Sequence, residues 1–163
     1  MQKQLTSILV ALLFLLCAGS AAAQKVNTDW DHTANFSNYK TYAWLKSKHP
    51  AHSDLLNKRV IENVDKQMSA KGFTKVTDKP DVFVVYNAHV QETVSVGAGY
   101  DPASPSVPLW GTLVINLVDA QKSALVWRGT GRDVISDRPE KNVQKIEEAT
   151  ARMFKNYPPE DKK

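Results

Sequence analysis

The residues best suited to bind a ligand lie in a stretch where apolar and polar side chains alternate. Positions 124–135 read ALVWRGTGRDVI, which is typical of a strand with one buried face. Leu125 and Trp127 are predicted to face inward, and Arg128 and Arg132 outward. Because arginines on one strand face point the same way, these two are placed to grip a carboxylate or phosphate group.

A second series of polar side chains is predicted on the same exposed face of the sheet. It comprises Asn87, His89 and Gln91, and Thr130 lies between the two arginines. We take His89, Arg128 and Arg132 as the candidate binding residues. The alternative is a solvated face whose charges keep the protein soluble and prevent aggregation.

Two carboxylates and an imidazole lie within four residues, at Asp29, Asp31 and His32. A metal site there would need His89 to join them from another strand. The spacing matches neither the common zinc motifs nor the calcium loops, and aspartates beside a turn more often cap its backbone or face water. The sequence therefore predicts no metal and no cofactor.

No residue is assigned a catalytic role. The chain has no G-x-S-x-G motif. Gly97 and Gly99 are not followed by the Gly-Lys-Ser/Thr ending of a phosphate-binding loop. Catalytic triads are recognised by geometry, which a sequence does not provide. The protein is therefore expected not to be an enzyme.

The composition indicates one folded domain that does not bind nucleic acid. The 163 residues are 42% hydrophobic and include four Trp, which indicates a real core and excludes a disordered chain. The 21 Lys and Arg outnumber the 17 Asp and Glu, but the two signs are interspersed, whereas nucleic-acid binding needs a clustered basic patch. A single Cys rules out a disulfide framework.

Residues 1–23 (MQKQLTSILVALLFLLCAGSAAA) have the pattern of a secretory signal peptide. Lys3 precedes a short apolar run, and small residues lead to an A-x-A site, so cleavage is expected between Ala23 and Gln24. The run is shorter than the roughly 20 apolar residues that span a membrane, and no transmembrane helix is expected in the mature chain. The expected location is the periplasm, with outer-membrane association or secretion as alternatives.

Cys17 raises the alternative of a lipid-modified cysteine. Lipoprotein processing favours small residues before the cysteine, whereas Leu15 and Leu16 precede it here. The A-x-A site that follows competes with it. Simple export is the favoured interpretation, and the mature chain then contains no Cys.

Hydrophobic periodicity predicts six strands and two helices. Strands are predicted over residues 26–30, 39–45, 73–77, 81–96, 109–119 and 124–135. The first helix is predicted from the N-cap Ser53 to about residue 71, with Gly72 as its stop and an ion pair between Glu62 and Lys66. The second is predicted over about 138–157, with Asp137 and Glu140 as a capping box.

The element order is β-β-α-β-β-β-β-α, which predicts an α+β fold. We expect a mostly antiparallel sheet with two amphipathic helices packed on one face. The domain is predicted to cover residues 24–159, after the signal peptide and before a disordered tail at 160–163. Residues 97–108 (GAGYDPASPSVP) are rich in Gly and Pro and are expected to form a mobile loop.

Four segments carry a family resemblance: VNTDWDHTANFSNYKTYAWL (26–45), GTLVINLVDAQKSALVWRGTGR (111–132), PEKN (139–142) and MFKNYPP (153–159). Together they resemble the bacterial domain-of-unknown-function family 4136, over essentially the whole mature domain. The resemblance implies an exported or lipid-anchored envelope protein of Gram-negative bacteria. It implies no established activity and no catalytic residue.

The sequence therefore favours a non-catalytic binding or accessory module of the cell envelope. One alternative is a hydrolase of an envelope polymer, which needs a concave pocket with converging titratable groups. Another is a structural component of an envelope assembly, which would show an exposed apolar patch near residues 100–110. The expected partners are envelope proteins, lipids or anionic glycans.

Overall fold

The computed structural model describes residues 25–51, 53–92 and 109–160. The predicted signal peptide with its Ala23–Gln24 cleavage site, Cys17, the predicted loop at 97–108 and residues 161–163 of the predicted tail lie outside the described residues.

The described residues form a six-stranded sheet in the order β1-β6-β5-β4-β2-β3. The strands are β1 (Lys25–Trp30), β2 (Thr41–Trp44), β3 (Thr74–Lys75), β4 (Val82–Glu92), β5 (Leu109–Asp119) and β6 (Ala124–Val134). The long strands β4, β5 and β6 pair antiparallel, as do β1 and β6, while β2 pairs parallel with both β3 and β4. The predicted α+β class and element order are confirmed.

Helices α1 (Asp54–Ala70) and α2 (Pro139–Phe154) pack side by side on one face of this sheet. Their contact with the sheet buries alternate residues of β4 and β5, namely Val82, Val84, Tyr86, Leu113, Ile115 and Leu117. The other sheet face is not covered by either helix. We call it the open face.

Helix α1 forms as its local signals predict. Ser53 accepts a hydrogen bond from the Leu56 amide at 3.2 Å, which caps the first turn. Val60, Val64 and Met68 are buried on one stripe, and Gly72 ends the helix with φ +83°, a conformation that only glycine adopts without strain.

The predicted ion pair on α1 is wrong. Glu62 pairs with Arg59 at 3.1 Å within the helix, and Lys66 reaches across to Glu147 of α2 at 3.0 Å. Both pairs are exposed, and an exposed ion pair contributes at most about 1 kcal/mol to the free energy of unfolding. The Lys66–Glu147 pair does join the two helices.

The predicted capping box of α2 is also wrong. Arg138 is the N-cap residue and makes no side-chain cap, and Pro139 occupies the first turn. Ser136 and Asn142 hold the entry instead: Asn142 Oδ1 accepts from the Ser136 amide, and Asn142 Nδ2 donates to the Ser136 carbonyl, each at 2.8 Å. The helix ends at Phe154, before the predicted end at residue 157.

Strand β6 carries a register shift between Leu117 and Val118 of its partner β5. Because of this bulge, Leu125 pairs with Val118 and is 43% exposed, whereas Val126 is buried. The prediction that Leu125 faces inward is therefore wrong. Trp127 faces the helices as predicted and is 2% exposed.

Candidate ligand-binding site

The candidate binding residues His89, Arg128 and Arg132 all lie exposed on the open face. The strand register places His89, Thr112, Arg132 and Lys25 in one row across four neighbouring strands. Since neighbouring strands lie about 4.8 Å apart, His89 and Arg132 are about 10 Å apart along this row. The row therefore brings three basic side chains to one end of the face.

Arg128 lies in a different row, with Val85, Asn116 and Asp29. Its Nε donates to Asn116 Oδ1 at 2.8 Å, and Asn116 is 8% exposed. The guanidinium therefore stabilises a nearly buried amide of the next strand. The structure places Arg128 and Arg132 on one face but does not bring them into one pocket.

The Asp29–Asp31–His32 group and His89 are not brought together. β1 and β4 are three strands apart in the sheet, a separation of about 14 Å. Asp31 accepts from the amide and hydroxyl of Thr33, and these hydrogen bonds lower the pKa of Asp31. Within residues 25–51, 53–92 and 109–160, no three His, Cys, Asp or Glu side chains cluster as metal ligands would.

Three further carboxylates with lowered pKa values connect elements of the fold. Asp81 accepts from the Lys40 amide and from both the amide and hydroxyl of Thr41, and the Lys40 hydrogen bond is the largest cause of its lowered pKa. Asp119 accepts from the amides of the β5–β6 turn and from Tyr39. Burial, with this hydrogen bond, raises the pKa of Tyr39 to about 12.

Asp65 is the third. It lies on α1 and accepts from the Tyr42 hydroxyl at 2.7 Å, Trp44 Nε1 at 2.8 Å and Lys75 Nζ at 2.8 Å. Burial raises the pKa of Asp65, but the three hydrogen bonds together outweigh it, so the net pKa is lowered. This carboxylate fastens α1 to β2 and β3.

A cavity of about 300 Å³ lies between the two helices and the sheet. It lies toward the end of the sheet where β4 finishes and β5 begins, as its lining by Val90 and Gly111 shows. Its walls are Pro50, Ala51, Leu56, Val60, Ala88, Val90, Gly111, Thr112, Leu113, Gly131, Asp133, Val134, Ile135, Asn142, Lys145, Ile146 and Ala149. Most of these are apolar, and the alanines among them, Ala51, Ala88 and Ala149, have short side chains that take up little of the space.

The polar residues at the cavity bond to the end of β6 and to the segment that follows it. Lys145 Nζ donates to the Val134 carbonyl and pairs with Asp133 at 3.3 Å, and Asn142 bonds the Ser136 backbone. Across the cavity, Asn57 Oδ1 accepts from the Ala51 amide at 2.9 Å and from the Tyr86 hydroxyl. The cavity wall is therefore held in place by hydrogen bonds on both sides.

Sequence reasoning missed this cavity. The signal that was available is the set of short side chains that line it, at Ala51, Ala88 and Ala149. A cavity volume depends on how the helices seat on the sheet, which periodicity does not specify.

The segment after β2 continues alongside β4. The Leu45 amide donates to the Val84 carbonyl at 2.8 Å, and the Ala88 amide donates to the His49 carbonyl at 2.9 Å. This pairing sets the exposed His49 beside His89 on the open face, with ring centroids 5.2 Å apart and planes inclined by 44°.

The sequence matches the model of one protein family, described as "Domain of unknown function (DUF4136)", over residues 26–159. The chain belongs to the DUF4136 family. No curated protein matches the sequence. In the described part of this DUF4136 chain, no helix is long and apolar enough to cross a membrane.

Solved structures share the fold of this DUF4136 chain. A PDZ domain protein from Parabacteroides distasonis is 15% identical with a TM-score of 0.65, over 84% of this chain and 36% of that one. The chain thus spans about a third of that protein. PelC from Paraburkholderia phytofirmans, solved as a dodecamer, is 10% identical with a TM-score of 0.51, over 81% of this chain and 98% of that one.

A minor lipoprotein from Acinetobacter baumannii is 11% identical with a TM-score of 0.42, over 72% of this chain and 91% of that one. At identities this low, the likenesses with TM-scores above 0.5 show the fold alone.

Proposed function

We propose that this chain is an exported protein of the bacterial cell envelope that binds an apolar ligand without catalysing a reaction. The secretory pattern of residues 1–23 supports the location. The cavity between the helices and the sheet is the observation that carries the binding role, because concave, mostly apolar pockets are where small ligands bind.

The chemistry of the cavity wall favours a hydrocarbon. Leu56, Val90, Ile135 and Ile146 present branched apolar side chains to the space. Lys145 bonds a backbone carbonyl and a carboxylate of the wall itself. A ligand with buried polar groups would have to break such bonds, whereas a hydrocarbon would not.

The size of the cavity favours a small ligand. Ligand pockets range from about 300 to 1,000 Å³, so this one lies at the lower end of that range. A single acyl chain fits such a volume better than a large cofactor does. We therefore assign an acyl chain, free or carried by a lipid, as the ligand class.

The experiment uses the full chain, produced with its own leader and purified after processing and delipidation. Saturated fatty acids of increasing chain length are added, and the melting temperature is recorded. At a concentration 100 times its dissociation constant, a ligand stabilises the fold by about 2.7 kcal/mol, which raises the melting temperature by several degrees at this size. We expect the shift to stop increasing beyond a certain chain length, because further carbons would extend out of a cavity of about 300 Å³.

A cavity-filling variant supplies the control. Ala88→Leu adds three carbons to the cavity wall and is expected to abolish the shift while keeping the fold. Thr130→Leu places a leucine on the open face, outside the cavity, and is expected to leave the shift unchanged. Equal shifts for both variants, or no shift with any chain length in the unaltered protein, would rule the proposal out.

A further inference from the structure

His49 and His89 form a pair that the cavity does not involve. The two residues are 40 positions apart in the sequence, and the parallel pairing of the segment after β2 with β4 brings them together. Both are exposed, and their ring centroids are 5.2 Å apart. We propose that they are two ligands of a divalent transition-metal ion on the open face.

The separation of the rings fits one shared ion. Zinc lies about 2.1 Å from a ligating imidazole nitrogen, which puts it about 3.2 Å from the ring centre. Two imidazoles bound at angles between a right angle and the tetrahedral angle then have centres about 4.5–5.2 Å apart. The observed 5.2 Å lies at the upper end of this range, so the spacing of the two exposed rings is compatible with one shared ion.

The backbone holds the two ligands in this relation. The Ala88 amide bonds the His49 carbonyl at 2.9 Å, next to His89 itself. Two positions before each histidine, on the same face, the Ser47 hydroxyl donates a hydrogen bond to Asn87 Oδ1 at 3.4 Å. The histidines therefore approach each other as cross-strand neighbours do, and little backbone freedom is lost when an ion binds.

The ligand set indicates which ion binds. Imidazole nitrogens suit zinc, copper and nickel, and among divalent ions of this row copper binds a given site most tightly. The described residues bring no third histidine or carboxylate to the pair. Two protein ligands leave the remaining coordination positions to water, so a bound ion can exchange with solution. By the affinity order, copper(II) is the ion that this site holds best.

The test is a copper(II) titration of the processed full-length protein at neutral pH, followed by calorimetry and electron paramagnetic resonance. We expect one saturable site with nitrogen hyperfine coupling from imidazole. His49→Gln and His89→Gln are each expected to weaken binding at least tenfold, because each leaves a single imidazole.

The matched control is His32→Gln, which removes another exposed histidine, one whose ring contacts Trp30 at a tilt of 51° beyond the far end of β1. It is expected to retain the copper affinity of the unaltered protein. The proposal fails if His32→Gln weakens binding as much as His89→Gln does, or if no saturable site is found. Circular dichroism distinguishes a lost site from a lost fold, since both ring positions are exposed and neither substitution should unfold the protein.

Discussion

Met153 of α2 lies directly against the backbone of Gly129 in β6. A Cβ atom at Gly129 would be 2.9 Å from Met153 Sδ and 2.7 Å from Cη2 of Trp127. Both distances are shorter than any real Cβ contact. The absence of a side chain at Gly129 therefore allows α2 to pack against this strand. Since Met153 and Trp127 are almost fully buried, they have no free space into which to retreat.

Gly129→Ala is therefore expected to destabilise the fold by about 1–3 kcal/mol, the usual range for overpacking. Gly131→Ala should cost less, because its Cβ would mainly meet the flexible end of Met153 at 2.7 Å and Ala149 Cβ at 3.1 Å. Chemical denaturation measures both. Thr130→Ala, between them on the open face, is the control, and equal losses for all three variants would contradict the packing argument.

Asp65→Ala is expected to reduce the free energy of unfolding by about 1–3 kcal/mol at neutral pH, because it leaves the buried Tyr42 hydroxyl without its acceptor. The folded-state pKa of Asp65 is lowered, so its stabilisation is present above the unfolded pKa of about 3.9 and is lost as the pH falls through the folded value.

The stability difference between the unaltered protein and Asp65→Ala should therefore shrink below about pH 4. Urea titrations at a series of pH values measure it. Asp54→Ala, in the exposed first turn of the same helix, is the comparison. A difference that stays constant into acid would show that the ionised carboxylate is not what stabilises the contact.

Tyr157→Phe is expected to stabilise the protein. The Tyr157 hydroxyl is buried and has no hydrogen-bond partner among the described residues, while its ring packs on Phe36, Phe73 and Trp127. An unsatisfied buried hydroxyl costs about 1–3 kcal/mol, so its removal should raise the free energy of unfolding by about 1 kcal/mol. A loss of similar size in a thermal melt would mean that the hydroxyl is hydrogen-bonded.

Arg128→Ala combined with Arg132→Ala is expected to leave the fold intact but to lower the free energy of unfolding by about 1–3 kcal/mol, because the loss of Arg128 leaves the nearly buried Asn116 Oδ1 without this donor. Our prediction that His89, Arg128 and Arg132 bind an anionic group adds a second readout: weaker retention of the double variant on a sulfated glycan matrix. Lys141→Ala with Lys155→Ala, which removes the same charge from the exposed surface of α2 and its end, is the charge-matched control. Equal loss of retention in both double variants would show non-specific attraction.

The sequence predicted those parts of the fold that depend on local signals. Ser53, the stripe at Val60, Val64 and Met68, and Gly72 lie within a single helix and its ends, so the pattern is sufficient. The strand bounds of β5 were also predicted as observed. In these segments the conformation of each residue is determined by residues close to it in the sequence.

The failures depend on tertiary contacts. Asp137 and Glu140 have capping-box spacing, but the bonds between Ser136 and Asn142 decide how α2 begins. Leu125 was assigned to the wrong face because one bulge reverses the alternation beyond it. The His49–His89 pair and the cavity follow from which strands become neighbours, and a single sequence does not encode that in its periodicity.

The position of β1 sets the order in which this protein can fold. Its partners in β6 lie about 100 positions later in the chain, with Lys25 opposite Arg132 and Trp30 opposite Trp127, so this pairing requires a long loop to close and is expected to form late. In a chain threaded through an export channel from its N-terminus, β1 would arrive first and remain unpaired until β6 had followed. Its hydrogen-bonding groups would then be open to other chains, so on the proposed export route the interval before β6 arrives is one in which the chain is prone to aggregate.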